Sequence, residues 1–525
     1  MTTGVHFIAG EKVSGKDGFQ ARNPEDGSDL KPFFPEVNLE QVNTAVQKAQ
    51  EIHDQRLLFP KEIRIKLLES IASHLESALP EIQTRGVQET GLPAGRFEAE
   101  MGRTCQQLRQ FAATIGTGAF SEAVLQSSDP DRQPIPRPDL RRRMIPLGPV
   151  AVFGASNFPL AFGVAGGDTA SALAAGCPVI VKGHPAHPGV SELVAAAIST
   201  AVSETGLPGG VFSMLHGESH QAGAWLTEHP RISAVGFTGS KAGGMALWKL
   251  ATQRDCPIPV FAEMGSTNPV FIFPEALSER SEAIAEGLAG SVLLGVGQFC
   301  TSPGLLVIEK SSQSELFKEQ LAAHLLKNPA GTMLHFGIHQ AYQEGLLLQS
   351  QKSDVELIGQ GPSGDSPCSA QSGLLVTSAS RFLEDGSLQE ENFGPSTLLV
   401  ECEDADQMKS VANALEGQLT ATIHATEREL SGNMDLVHRL EDKVGRIVLN
   451  GFPTGVEVGE AMQHGGPWPA TTDSRWTSVG MTALERFQRP VCWQGFSESL
   501  LPDDLSINSS NPHRLDSEWH MGGSA

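Results

Sequence analysis

One cysteine and one glutamate have side chains suited to nucleophilic and general-base catalysis. Cys300 lies in VLLGVGQFCTSPG, between an apolar helical run and a Ser-Pro-Gly break. A thiol at such a turn can be held as an activated thiolate, the form that attacks carbonyl carbon. Glu263 ends the strand-like run PVFAE and can act as a general base through water, with a pKa raised by burial. The alternatives are a packed thiol and a surface carboxylate.

Asn157 is a candidate for stabilising a developing negative charge. It lies in GASNFPL, directly after one predicted strand and before a helix. A neutral amide donor at the carboxyl edge of a sheet suits an oxyanion hole. A helix-capping role is the alternative, because asparagine is a preferred cap.

Three further stretches can bind a nucleotide. Lys182 ends PVIVK, where it can contact ribose hydroxyls or a phosphate, although such lysines also extend to solvent. FTGSKAGG, which contains Gly239 and Ser240, brings backbone close to a pyrophosphate at a helix N-terminus. EENFGP supplies Glu391 for a ribose and Phe393 for a flat ring. Each stretch alone is weak evidence.

Short β-branched runs alternate with helical runs from Pro149 onward, which is typical of parallel sheets in α/β proteins. Apolar spacing predicts helices over 39–55, 60–79 and 97–115. The proline-rich stretch 126–143 indicates a linker or excursion, with Arg141 to Arg143 solvated, and 503–525 is expected to be loosely held. We therefore predict two α/β domains in tandem.

Composition narrows the class of protein. The 525 residues include 38 basic and 61 acidic ones, and the net charge of -23 disfavours nucleic acid and anionic membranes as partners. The 7 cysteines are scattered and never form CxxC, so neither a disulfide framework nor a metal site is expected. No signal peptide or apolar run of ~18 residues is present, which predicts a cytoplasmic protein.

In their order along the chain, these motifs resemble the NAD(P)-dependent aldehyde dehydrogenase superfamily. The resemblance extends to about Gln494 and implies an aldehyde-dehydrogenase-like α/β fold with a small β oligomerisation extension. It assigns residues 1–124 and 147–264 to a cofactor-binding domain, 265–480 to a catalytic domain, 125–146 and 481–497 to oligomerisation segments, and 498–525 to a C-terminal tail. A homodimer or homotetramer is implied.

The same resemblance implies roles by position. Cys300 is the nucleophile, Asn157 the oxyanion donor and Glu263 the base that activates water. The cofactor residues are Lys182 and Glu391 for a ribose, Gly239 and Ser240 for the pyrophosphate, and Phe393 for the nicotinamide. The chain departs from many members at Ser156, where they have Trp, and in EMGSTNP, where ELGGKSP is commoner.

Substrate and cofactor choice depend on finer features. Pro185 stands where NAD-preferring members often have a ribose-binding Glu, which with His184 nearby favours NADP, and NAD remains an alternative. Longer segments resemble a branch that oxidises 2,5-dioxopentanoate to 2-oxoglutarate in sugar-acid or hydroxyproline catabolism. Arg103 is a candidate for the substrate carboxylate, with an ion-pair partner as the alternative.

Other activities stay open at this point. NADP-dependent fatty or other semialdehyde dehydrogenases are near relatives of the branch, and thiol hydrolases and acylating, CoA-dependent dehydrogenases also use a cysteine thioester. A catalytically silent relative would be expected to lack Cys300 or Glu263, whereas this chain has both.

Overall fold

A computed structural model describes residues 2–521 of the chain. The strands are β1 (His6–Ile8), β2 (Glu11–Val13), β3 (Gly18–Arg22), β4 (Asp29–Pro35), β5 (Ala123–Gln126), β6 (Leu140–Pro146), β7 (Val150–Phe153), β8 (Val179–Lys182), β9 (Phe212–Leu215), β10 (Ala234–Thr238), β11 (Val260–Glu263), β12 (Val270–Ile272), β13 (Leu305–Glu309), β14 (Gly331–Thr332), β15 (Val355–Gln360), β16 (Ser369–Ala370), β17 (Gly373–Ser378), β18 (Ser396–Cys402), β19 (Thr420–His424), β20 (Arg446–Leu449), β21 (Gln488–Gln494), β22 (His513–Leu515) and β23 (Glu518–His520).

The helices are α1 (Leu39–Asp54), α2 (Lys61–Thr90), α3 (Ala94–Thr117), α4 (Gly167–Ala175), α5 (Pro188–Glu204), α6 (Gln221–Glu228), α7 (Lys241–Thr252), α8 (Pro274–Leu293), α9 (Ser312–Leu325), α10 (Phe336–Ser350), α11 (Ala379–Glu384), α12 (Ala405–Ala414), α13 (Glu427–Gly432) and α14 (Met434–Glu441). In residues 2–521, none of them combines the length and apolar character needed to cross a bilayer.

The first sheet has the order β11-β10-β7-β8-β9-β1-β2 and is parallel from β11 to β9. Strands β7 and β9 are buried along their whole length, because helices α2 to α5 pack on one face and α1, α6 and α7 on the other. Phe153 pairs with Lys182, and Thr238 pairs with Glu263. The carboxyl ends of four strands therefore share one edge, where the predicted site residues lie.

The second sheet has the order β15-β17-β18-β13-β12-β19-β20 and is parallel except for β15. Apolar clusters cover both of its faces. The prediction of two parallel-sheet α/β units is confirmed. Two short antiparallel pairs, β3 with β4 and β14 with β16, lie outside the large sheets.

Helix α2 is longer than the apolar spacing predicts, because it continues through Pro80 to Thr90. A proline inside a helix costs about 3 kcal/mol or more. Packing on α3 opposes this cost: Gly86 lies so close to the Phe97 ring that a Cβ there would be 2.2 Å from it. Tertiary contacts thus override the local stop signal.

A third sheet, β21-β6-β5-β22-β23, corrects two expectations. Arg141 is not solvated but buried on β6, where it pairs with Asp139 at 2.9 Å and Glu498 at 2.7 Å. Residues 503–521 are not loosely held, since β22 pairs with β5 and Leu505 is fully buried; the last four positions of the predicted loose segment 503–525 lie outside the described residues. Asp504 of this segment lies 2.6 Å from Arg143, whereas Arg142 is exposed as predicted.

Candidate active site

The turn that presents Cys300 is conformationally unusual. After α8 ends, Gly295, Val296 and Gly297 all have positive φ, at 58°, 60° and 68°. Such a φ is an outlier for a β-branched residue and is held by surrounding contacts. Asn268 fixes the residues that follow, because its Nδ2 donates to the Cys300 carbonyl at 2.8 Å and the Ser302 carbonyl at 2.9 Å. The Cys300 side chain is half-buried.

Cys300 and Glu263 meet through a residue that the sequence did not indicate. His464 Nε2 lies 3.3 Å from Cys300 Sγ and 2.8 Å from Glu263 Oε1. The other Glu263 oxygen, Oε2, accepts a hydrogen bond from Ser478. A single Nε2 proton thus faces both a thiol and a carboxylate, which is an arrangement for moving a proton between them.

The loop that carries His464 is fixed against β11, because the Thr472 amide donates to the Ala262 carbonyl at 3.1 Å and the Ala262 amide donates to Thr472 Oγ1 at 2.9 Å. The His464 amide donates to Thr477 Oγ1 at 2.9 Å, and the Ser478 amide donates to the His464 carbonyl at 2.9 Å. No spacing motif marks His464 in MQHGGPWPATTDSRWTSVG. Only the fold places it beside residues more than 160 positions earlier.

Electrostatics favour an ion pair at this site. Burial alone would favour the neutral imidazole, but the Glu263 carboxylate and the Cys300 thiolate outweigh it and raise the pKa of His464 to about 10. Burial likewise favours protonated Glu263, yet His464 and Ser478 hold the pKa of that carboxyl below its usual value. The expectation of a raised pKa for Glu263 is therefore wrong, because His464 supplies a counter-charge.

Asn157 lies beside the nucleophile turn. Its Nδ2 donates to the Gln298 carbonyl at 3.0 Å, and a primary amide has a second N–H to offer. Helix α3 supports its loop: the buried carboxylate of Glu100 accepts from the amides of Leu160 and Ala161 at 2.8 and 2.9 Å. Arg96 pairs with Glu100 at 3.3 Å.

Aromatic side chains form the wall next to Cys300. The Phe158 ring packs edge-on against Phe162 and Phe299, with centroids 5.5 and 5.0 Å apart. The Arg103 guanidinium lies 5.9 Å from the Phe158 centroid and 5.7 Å from that of Phe162. Its Nε is buried without a hydrogen-bond partner, and no carboxylate in residues 2–521 is within ion-pair distance of it. Burial lowers the pKa of Arg103, and negative charge on Cys300 opposes that effect.

The predicted nucleotide residues lie at the ends of β8 and β10, at the start of α7, and in the loop before β18. Ser240 caps α7, and its Oγ accepts from the Gly243 amide at 3.2 Å. A Cβ at Gly265 would be 2.3 Å from Glu391 Oε2, and a Cβ at Gly297 would be 2.2 Å from the Gly394 carbonyl. The Glu391 side chain thus lies against the Gly265 backbone. The loop of Glu391 and Phe393 packs against the Cys300 turn. A helix N-terminus, glycines and a carboxylate fit a dinucleotide.

His184 and Lys182 differ in the charge that they can offer. His184 packs near His187 and His335, with centroids 5.6 and 5.9 Å away. Burial, together with these neighbours, lowers the pKa of His184 well below its usual value, so its ring is neutral. Burial also lowers the pKa of Lys182, to about 8, so that this side chain stays largely protonated at neutral pH. Of the two, Lys182 supplies the positive charge.

Comparison with known proteins identifies the family. The model of the aldehyde dehydrogenase family matches residues 11–356. The chain belongs to the aldehyde dehydrogenase family. It is 47% identical to alpha-ketoglutaric semialdehyde dehydrogenase 2 of Azospirillum brasilense, over 97% of each chain. It is 43% identical to alpha-ketoglutaric semialdehyde dehydrogenase of Acinetobacter baylyi, over 96% of this chain and 95% of the relative.

The fold agrees with that family. Betaine aldehyde dehydrogenase from Staphylococcus aureus, solved in complex with NAD+, superposes with a TM-score of 0.80 at 18% identity, over 94% of this chain and 95% of that one. The resemblance and the fold class predicted from sequence are confirmed. This aldehyde dehydrogenase is therefore an enzyme of aldehyde oxidation with a nicotinamide cofactor.

Proposed function

We propose that the enzyme oxidises 2,5-dioxopentanoate, the semialdehyde of 2-oxoglutarate, to 2-oxoglutarate, with NADP as the preferred cofactor. The names of the two relatives support this substrate. The observation that carries the proposal is Arg103, a half-buried cation beside Cys300 whose Nε has no hydrogen-bond partner. The Arg103 guanidinium can bind the carboxylate at one end of the substrate through two parallel hydrogen bonds, while the aldehyde at the other end contacts the Cys300 thiol.

The first step uses the thiol and its support. The Cys300 thiolate is stabilised by the imidazolium of His464 at 3.3 Å and attacks the aldehyde carbon. The free N–H of the Asn157 amide and the Cys300 backbone N–H donate to the new oxyanion. The bound nicotinamide, when present, supplies the acceptor for the hydride that leaves this carbon. A thioester on Cys300 results.

The second step uses Glu263 and His464. Water attacks the thioester carbon, the C–S bond breaks, and the water proton passes to the Glu263–His464 pair while Cys300 leaves as a thiolate. His464 contacts both Glu263 and Cys300. The pair can therefore accept the proton from water while the imidazolium balances the negative charge on the departing sulfur. Hydrolysis releases the dicarboxylate.

The cofactor residues support NADP without excluding NAD. We propose Lys182, Gly239, Ser240, Glu391 and Phe393 as contacts, with His184 as a neutral hydrogen-bond partner. Pro185 supplies no carboxylate to repel a 2'-phosphate, and Lys182 supplies positive charge.

Assembly, domain limits and location are proposals of the same kind. We propose a cofactor-binding domain of 1–124 and 147–264, a catalytic domain of 265–480, and oligomerisation through 125–146 and 481–497. The strand β21 is an edge of the third sheet, so its free backbone groups can pair with a second copy in a homodimer or homotetramer. Buried free thiols such as Cys177 and Cys402 fit a reducing, cytoplasmic compartment.

A second substrate class is favoured by one observation. The wall formed by Phe158, Phe162 and Phe299 is apolar and suits a fatty or other uncharged aldehyde. The half-buried Arg103 lies among these rings, however, and a partly desolvated cation without a counter-ion disfavours an apolar occupant.

The test compares substrates on matched variants. NADPH and NADH formation is followed with 2,5-dioxopentanoate, succinate semialdehyde and a long-chain aldehyde, for wild type, Arg103→Ala and Arg109→Ala. Arg109 is the control, because it lies on the same helix but pairs with Glu76 on the exposed surface. A hydrogen bond to a charged group is worth about 1.5–3 kcal/mol, so Arg103→Ala should lower kcat/KM for 2,5-dioxopentanoate about 10- to 150-fold. An equal loss with the uncharged aldehyde would refute the role of Arg103.

A further inference from the structure

Three different metal-binding atoms converge at the nucleophile. Cys300 Sγ, His464 Nε2 and a Glu263 carboxylate oxygen all lie within 4.8 Å of one another. We propose that these three side chains also form a reversible inhibitory site for a transition-metal dication of the zinc type. The part of this inference that concerns inhibition rests on the proposed function, whereas metal binding itself does not.

The spacing of the three atoms is close to that of a tetrahedral site. Bonds of about 2.3 Å from zinc to sulfur and about 2.0–2.2 Å to nitrogen or oxygen place neighbouring ligand atoms roughly 3.4–3.6 Å apart. The sulfur and Nε2 are 3.3 Å apart, and Nε2 and Glu263 Oε1 are 2.8 Å apart. The third pair, Cys300 Sγ and the Glu263 oxygen, lies within 4.8 Å, so side-chain shifts of about an ångström place all three atoms around one ion.

The chemistry of the ligands selects the class of metal. A thiolate and an imidazole bind zinc and its neighbours in the transition series, whereas magnesium and calcium require oxygen ligands. A thiolate and a carboxylate together neutralise the charge of a dication. His464 becomes the third ligand when the metal displaces its Nε2 proton. With three protein ligands, one coordination position stays open to water.

The surroundings hold the ligands in place. Ser478 donates to the second oxygen of Glu263, and Asn268 fixes the Cys300 turn by donating to the Cys300 carbonyl. Partners of this kind orient ligands and raise metal affinity. Within the sequence the ligands stand at positions 263, 300 and 464, so no motif predicts the site.

Occupation by a metal stops the proposed chemistry in a specific way. The ion takes the sulfur lone pair that attacks the aldehyde and the carboxylate and imidazole that accept the water proton. A chelator that removes the ion restores all three groups, because no covalent bond to carbon forms. Inhibition is therefore complete and reversible.

Binding is measured without catalysis, on the full-length protein. Co²⁺ alone is titrated into the reduced protein, and thiolate-to-cobalt charge-transfer absorption is recorded; Zn²⁺ alone is then added to displace it. We expect one equivalent of Co²⁺ with a thiolate band and loss of that band on addition of Zn²⁺. The same Zn²⁺ concentrations should inhibit aldehyde oxidation, and EDTA should restore it.

Variants separate this site from ordinary thiol binding. The double variant Cys256→Ser, Cys492→Ser removes the exposed thiols and should keep the band. His464→Gln should weaken metal binding more than about 100-fold, because even outer partners of a ligand are worth 10–100-fold. Glu263→Gln should weaken it as well and serves if His464→Gln does not fold.

The outcomes are distinct. Unchanged affinity in both His464→Gln and Glu263→Gln, or no stoichiometric thiolate band in wild type, would overturn the metal site. A metal site in a protein that oxidises no aldehyde would overturn the proposed function and leave the site intact.

Discussion

Replacing His464 by glutamine tests the proton path between Cys300 and Glu263. The change removes the partner that lies 3.3 Å from the sulfur and 2.8 Å from the carboxylate. Two groups that are negatively charged during the reaction then face each other in a buried site. Positioned proton transfer contributes about 10²–10⁴-fold to rate, so we expect kcat for 2,5-dioxopentanoate to fall by at least about 100-fold.

The assay separates the two chemical steps. Stopped-flow recording of NADPH formation resolves a first turnover, which reports thioester formation, from the steady state, which reports hydrolysis. The rate of Cys300 alkylation by iodoacetamide gives an independent measure of thiolate reactivity. Both rates should fall in His464→Gln, because the imidazolium stabilises the thiolate and the pair accepts the water proton.

A matched control is available on the surface. His438 is exposed on α14, so His438→Gln should leave both rates unchanged. If His464→Gln folds normally and keeps kcat and alkylation within about threefold of wild type, His464 only packs in the site and the proton path is refuted.

Further predictions concern the support of the site. Gly297→Ala forces a Cβ to within 2.2 Å of the Gly394 backbone at a positive φ, so kcat should fall about 10²-fold, whereas Gly290→Ala, with open space around it, should not change kcat. Glu100→Gln weakens the contacts that hold the Asn157 loop, so kcat should fall about tenfold with little change in KM, as steady-state kinetics will show. The pKa of His464 is raised from 6.5 to about 10, so its stabilisation of the fold is full below the unfolded value and is lost as pH rises towards 10. Urea denaturation at about pH 6 and about pH 10 should therefore show a smaller stability difference between wild type and His464→Gln at the higher pH; an equal difference would contradict the ion pair.

The sheets could be predicted because each strand is a short apolar run with its own signal. VAVF and FSML are buried on both faces, which gives continuous apolar runs instead of alternating ones. The placement of Cys300, Glu263 and Asn157 near one another followed from their positions at strand ends and turns. Local patterns therefore predicted the α/β fold class and the candidate side chains, whereas their combination into one site came from the resemblance to a known family.

Features that depend on distant contacts could not be predicted. The sequence around Arg141 indicates a solvated side chain, but in the fold this residue pairs with Asp139 and the distant Glu498. His464 carries no local signal, and its counter-charge reversed the expected direction of the Glu263 pKa. In both cases a charged group acquired a partner through the fold, and sequence spacing does not contain that information.

The central claim is that Cys300 forms a thioester with 2,5-dioxopentanoate as it is oxidised. Intact-protein and peptide mass spectrometry after acid quench of a single turnover, with Glu263→Gln to slow hydrolysis, tests it most directly. The claim predicts the mass of a 2-oxoglutaryl group on the peptide that contains Cys300, and its absence in Cys300→Ser. An unmodified Cys300 after NADPH has formed, or the same adduct on another cysteine, would contradict it.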